Sequence, residues 1–101
     1  MIAALTSMRA EISELCRRFG VRRLDVVGSA ARGDDFDPDR SDADFLVEFI
    51  RSPPSLSEFL ALRDALADAL GRPVDLVMDG AVRNPYVQRT MNRSRETVYG
   101  A

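Results

Sequence analysis

Apolar residues recur at spacings of three and four over Leu5, Met8, Ile12, Leu15 and Phe19, which predicts a helix with one buried stripe, terminated at Gly20. Leu24 to Val27 read as a short buried strand, predominantly apolar, that leads into Gly28-Ser29. A polar connection, ARGDDFDPDRS, separates this run from a second strand that opens at Asp42-Ala43-Asp44 and continues through Phe45 to Phe49. Ser55-x-x-Glu58 is a capping box, and Leu56, Phe59, Leu60, Leu66 and Leu70 supply a helical face. Gly71 and Pro73 stop it, so a second helix spans about 55–70. Val74 to Met78 predicts a third strand with Asp75 near its start, Asn84-Pro85 caps and begins a final helix, and ETVYGA supplies a short edge strand. Strands separated by helices give an α/β domain, while the short 29–41 connection leaves parallel and antiparallel pairing both open. No internal repeat, low-complexity tract or linker interrupts the pattern, and a single domain over 1–101 is expected.

Composition narrows the chemistry. Apolar residues make up 46% and charged residues 30% of the 101 residues, an ordinary globular balance. All 14 basic residues are arginine, but they are scattered and offset by 16 acids to a net charge of -2. No basic arm or stripe forms, and no direct nucleic-acid partner is expected. Cys16 is the only cysteine and histidine is absent, which excludes an internal disulfide, Cys/His zinc sites and His-dependent triads; Cys16 reads as a helix packing residue. The N-terminal MIAALTSMRAEI lacks a basic n-region and carries Arg9 and Glu11, and no apolar run approaches a membrane span, so a cytoplasmic protein with no membrane partner is expected.

The chemistry concentrates in VVGSAARGDDFDPDRSDADFLVEF. In an extended strand, residues i and i+2 share a face, so Asp42 and Asp44 present their carboxylates together while Ala43 turns away. Close carboxylates repel unless neutralised, and Mg²⁺ takes hard oxygen ligands from one or two carboxylates plus nucleotide phosphates. Gly28 permits close backbone approach, Ser29 offers a hydroxyl, and the helical turn that follows aims N–H groups at phosphate oxygens. Taken singly, each feature has a plainer reading. An Asp pair is a solvated loop acid, Gly-Ser is a turn and cap, Asp75 is a strand-edge acid, and Arg32 pairs with an acid at 34, 35 or 37. The combination favours a metal-nucleotide site. Two competing motifs fail. Asp35-x-Asp37-x-Asp39 begins like an EF-hand loop, but Arg40 replaces the required Gly and Leu46 the required Glu; GSAARG lacks the central glycine of a dinucleotide fingerprint.

GSAARG, the gap of about a dozen residues, SDADFLVEF and the later VDLV resemble the pattern of DNA polymerase β-like nucleotidyltransferases, most closely the minimal nucleotidyltransferases (MNT) of prokaryotic HEPN/MNT pairs. The resemblance covers nearly the whole chain and implies an α/β (α+β) nucleotidyltransferase fold, a mixed sheet flanked by helices with the site at one edge. It implies Asp42, Asp44 and Asp75 as catalytic, metal-binding residues holding two Mg²⁺ ions, with Asp75 on a neighbouring strand helping to deprotonate the acceptor. Gly28 and Ser29 hold the β- and γ-phosphates of ATP; Arg32 and Ser41 are secondary nucleotide-binding candidates, for phosphate contact and for orienting the Asp42 strand. The implied activity is transfer of AMP from ATP to a tyrosine of a HEPN ribonuclease toxin, for which the MNT is the antitoxin. The alternatives are an antitoxin acting by occlusion alone and a transferase acting on a small molecule. Ala43 departs from the larger aliphatic usual at its position and is expected to face the core. Arg83, Tyr86, Arg89, Arg93 and Arg95 form either a partner-contact face or a solvated helix face, and Tyr86 and Tyr99 are open candidates for self-modification.

Overall fold

The computed structural model describes residues 2–33, 42–51, 54–81 and 83–100. The predicted first helix is broken at Met8 into α1 (Ala3–Ser7) and α2 (Arg9–Arg18). Hydrogen bonding continues across the break, with Met8 N–H donating to Ala4 O (3.1 Å) and Ile12 N–H to Met8 O (2.9 Å), so the apolar stripe is not displaced. Leu5, Ile12 and Cys16 are fully buried. Burial pushes the Cys16 thiol up to about 12, so it packs as a neutral small hydrophobe.

Strand β1 (Val21–Val27) starts earlier than the apolar run alone predicts and ends at Gly28. A single turn, α3 (Ser29–Arg32), follows, and then β2 (Ala43–Phe49). Helix α4 (Leu56–Leu70) begins at the predicted cap: Glu58 N–H donates to Ser55 Oγ at 3.1 Å. It ends where Gly71 adopts φ 67° and its N–H returns to Ala67 O at 2.8 Å, the left-handed C-terminal turn that glycine favours. β3 (Val74–Met78), α5 (Pro85–Ser94) and β4 (Glu96–Tyr99) complete the elements, with Asn84 Oδ1 accepting from Tyr86 N–H at the start of α5.

The four strands form one mixed sheet in the order β3-β2-β1-β4. β1 is antiparallel to β2 and β4, whereas β2 and β3 are parallel, joined through α4. One face carries Leu24, Val26, Ala43, Phe45, Val47, Val74 and Leu76, buried with Leu62 and Leu66 of α4 and Ile12 of α2. Ala43, with no exposed surface, faces this core as expected. Strand alternation therefore sends Asp25, Val27, Asp44, Leu46, Asp75 and Val77 to the opposite face, towards α5. No helix among the described residues is long and apolar enough to cross a membrane.

Candidate active site

The parallel register sets Asp44 directly opposite Asp75, between the buried pairs Ala43/Val74 and Phe45/Leu76. Each aspartate is flanked by two core residues on its own strand, so the period of the pleat alone turns both carboxylates to the same outer face. Asp42 lies one residue before β2 and is exposed. Its charge still bears on Asp44, whose carboxyl is pushed up to about 6, first by burial, then by a hydrogen bond with Asp75, and then by the charges of Asp75 and Asp42. The two strands thus bring their acids close enough for burial and mutual repulsion to disfavour the charge on Asp44.

On the other side of β2, Val27 pairs with Asp44 and brings Gly28 beneath the carboxylate. Gly28 adopts φ 70° and ψ -150°, backbone that only glycine enters readily, and a Cβ there would lie 3.2 Å from Asp44 Oδ2. Its carbonyl accepts from Ala31 and Arg32 N–H, both at 3.1 Å, and Gly33 N–H closes the turn on Ser29 O at 2.7 Å. Ser29 is half-buried at the head of this turn, and Arg32 is exposed on the rim of the cleft. Ser41 and the loop acids at 34, 35, 37 and 39 lie outside the described residues.

These elements open onto a cleft of about 600 Å³, within the range of roughly 300–1,000 Å³ usual for small-molecule sites. Val27, Gly28, Arg32, Asp44 and Asp75 line one side; Tyr86, Val87, Thr90, Met91 and Ser94 of α5 line the other. Sequence reasoning did not place α5 here. Its spacing of 86, 90 and 94, with 87 and 91 alongside, marks one helical face, but the face gives no sign of which cavity it borders. Tyr86 is 76% exposed, with the Arg89 guanidinium 5.5 Å from its ring centroid, and is not tucked against the core.

Arg95 departs from the expected set of outward arginines. It donates to the fully buried Asp25 through Nε and to Asp79 through Nη1 at 3.3 Å. Arg23 completes the arrangement, donating to Asp25 Oδ1 at 3.0 Å and to Thr97 Oγ1 at 3.1 Å. An aspartate inside the apolar run Leu24-Asp25-Val26-Val27 was the available signal, because a charge there is buried and must be paired.

The acid group suits a hard divalent cation such as Mg²⁺: a cation would offset the burial and repulsion that disfavour the charged form of Asp44. Among the described residues no three acidic or other ligand side chains converge into a ready-made cage. That is compatible with Mg²⁺, which completes its shell with water and phosphate oxygens.

This combination of a mixed sheet, aspartates on its adjacent strands and a glycine turn beneath them accords with a model of the nucleotidyltransferase domain family that matches residues 9–99, and the chain belongs to that family. Among its relatives, the protein adenylyltransferase MntA of Thermococcus cleftensis is 39% identical over 92 residues, spanning 91% of this chain and 87% of the relative. A solved structure described as a candidate minimal nucleotidyltransferase superposes with a TM-score of 0.72 at 33% identity, covering 91% of this chain and 90% of that one. An MNT antitoxin complex with the tri-AMPylated HEPN toxin of Shewanella oneidensis gives 0.68 at 18% identity, over 96% of this chain and 73% of that one, a likeness of fold.

Proposed function

We propose that this nucleotidyltransferase transfers AMP from ATP to a tyrosine hydroxyl of a HEPN ribonuclease toxin and is that toxin's antitoxin. The observation that carries the chemistry is the register of Asp44 against Asp75 above Gly28, at the mouth of a nucleotide-sized cleft. The adenylyltransferase relative at 39% identity supports AMP as the group moved, and the AMPylated HEPN complex of similar fold supports the acceptor.

In this reading Asp42, Asp44 and Asp75 hold up to two Mg²⁺ ions, which would neutralise the triphosphate and polarise its α-phosphorus. Gly28, Ser29 and Arg32 hold the β- and γ-phosphates, and Ser41 orients the chain entering β2. The acceptor oxygen forms a bond to the α-phosphorus, the bond to the bridging oxygen breaks, and pyrophosphate leaves. Asp75, the more exposed partner of the pair, takes the hydroxyl proton. The whole chain, 1–101, acts as one domain, with the acceptor surface supplied by the toxin.

The test is transfer of label from α-phosphate-labelled ATP with Mg²⁺ to the protein encoded beside this one, comparing wild type with Asp44→Asn and Asp75→Asn. Label on a tyrosine of the neighbour that disappears in both variants is expected. Tight, nucleotide-independent binding without label would overturn the catalytic reading in favour of occlusion.

A further inference from the structure

Helix α5 forms one whole side of the cleft, yet none of its residues is buried. A ten-residue helix is marginal alone, and most helices are held in place by an apolar face packed on the core, which α5 lacks. Polar contacts anchor its C-terminal end. Gly28 N–H donates to Ser94 Oγ at 2.9 Å, and the next residue, Arg95, is pinned between buried Asp25 of β1 and Asp79 beyond β3. Asp25 is in turn held by Arg23. At the opposite end of α5, Asn84 Oδ1 caps the first turn by accepting from Tyr86 N–H at 2.9 Å.

We propose that Arg95 is a positioning residue for nucleotide binding: fixed by Asp25 and Asp79, it holds α5 across the cleft so that Val87 and Met91 close on a nucleobase against Leu46 and Val77. All four apolar residues line the same cleft, while the carboxylates and Gly28 occupy its polar end, a division that fits a base at one end and phosphates at the other. Arg95 touches no reacting atom and acts through the placement of α5. The inference rests on the nucleotidyl-transfer reading for the identity of the ligand.

The experiment measures binding of a fluorescent ATP analogue, with and without Mg²⁺, to wild type, Arg95→Met, Arg95→Lys and Asp79→Asn, together with thermal melting of each. Arg95→Met is expected to bind about tenfold more weakly, with partial recovery in Arg95→Lys and an intermediate loss in Asp79→Asn. In the transfer assay KM for ATP rises, while kcat at saturating ATP stays within about twofold. Met91→Ala weakens binding in wild type and adds little in Arg95→Met, because the arginine acts through the wall that Met91 belongs to. A lowered melting temperature with unchanged affinity, or a loss confined to kcat, would overturn the proposal. Should Arg95→Met not fold, Asp79→Asn keeps the side-chain volume at a partly exposed position, and unchanged affinity there overturns it equally. Wild type that binds no nucleotide overturns both this inference and the transfer reading; a wild type that binds, with insensitive variants, overturns the inference alone.

Discussion

A Cβ placed on Gly28 would meet Oδ2 of Asp44 at 3.2 Å, so the turn after β1 and the carboxylate on β2 are shaped against each other. Gly28→Ala adds both that contact and a side chain at φ 70°, ψ -150°. It is expected to lower stability by about 1–3 kcal/mol and to reduce AMP transfer in the molecules that remain folded. Urea denaturation and the labelled-ATP assay on the same preparation separate the two effects.

The raised carboxyl of Asp44 makes the metal-free protein sensitive to pH. Folding raises the Asp44 carboxyl from 3.8 to about 6, so the folded form binds more protons between those values and loses stability as pH rises through that window. The urea midpoint without metal is expected to be higher at pH 4.5 than at pH 7 as far as this group is concerned. Asp44→Asn should flatten the difference and abolish transfer.

Added Mg²⁺ should act in the opposite sense at neutral pH. If, as proposed, it binds the ionised acids of the folded form, it is expected to raise the melting temperature of wild type with a concentration dependence set by its affinity. In Asp44→Asn/Asp75→Asn the rise should vanish, and calcium or magnesium titration followed by thermal melting checks it.

Leu62 of α4 has no exposed surface and packs beneath the sheet on the face away from the cleft. Leu62→Ala is expected to cost about 2–5 kcal/mol in urea unfolding. Transfer per folded molecule should stay near wild type, since the acids and α5 stand on the other face.

Ser55→Ala removes the acceptor for Glu58 N–H at an exposed helix start. The expected loss is about 1 kcal/mol in stability, with transfer unaffected.

Much of this architecture was legible in the chain. The capping box at Ser55, the stop at Gly71 and the Asn84-Pro85 start each name a helix end by local chemistry, and all three appear where expected. The alternation around Asp44 and Asp75 was equally readable, because a lone acid between apolar strand residues has only one face to take. Strand direction was not readable, since it depends on how the 29–41 connection and α4 route the chain. The break at Met8 was missed because the apolar spacing runs through it undisturbed. Arg95 was grouped with the outward arginines of α5, since nothing local reveals that it meets Asp25 and Asp79, both distant in sequence.

The parallel pairing of β2 with β3 also bears on how the protein comes into being. Antiparallel β1 and β2 meet through a nearby connection, but Asp44 and Asp75 become neighbours only after α4 has folded back and the crossover has closed. Non-local closures of this kind are the slow events in folding. A chain halted before that step would have a hairpin, a helix and a glycine turn but no paired acids, so capacity for transfer should emerge late and all at once, in step with the final cooperative phase of refolding.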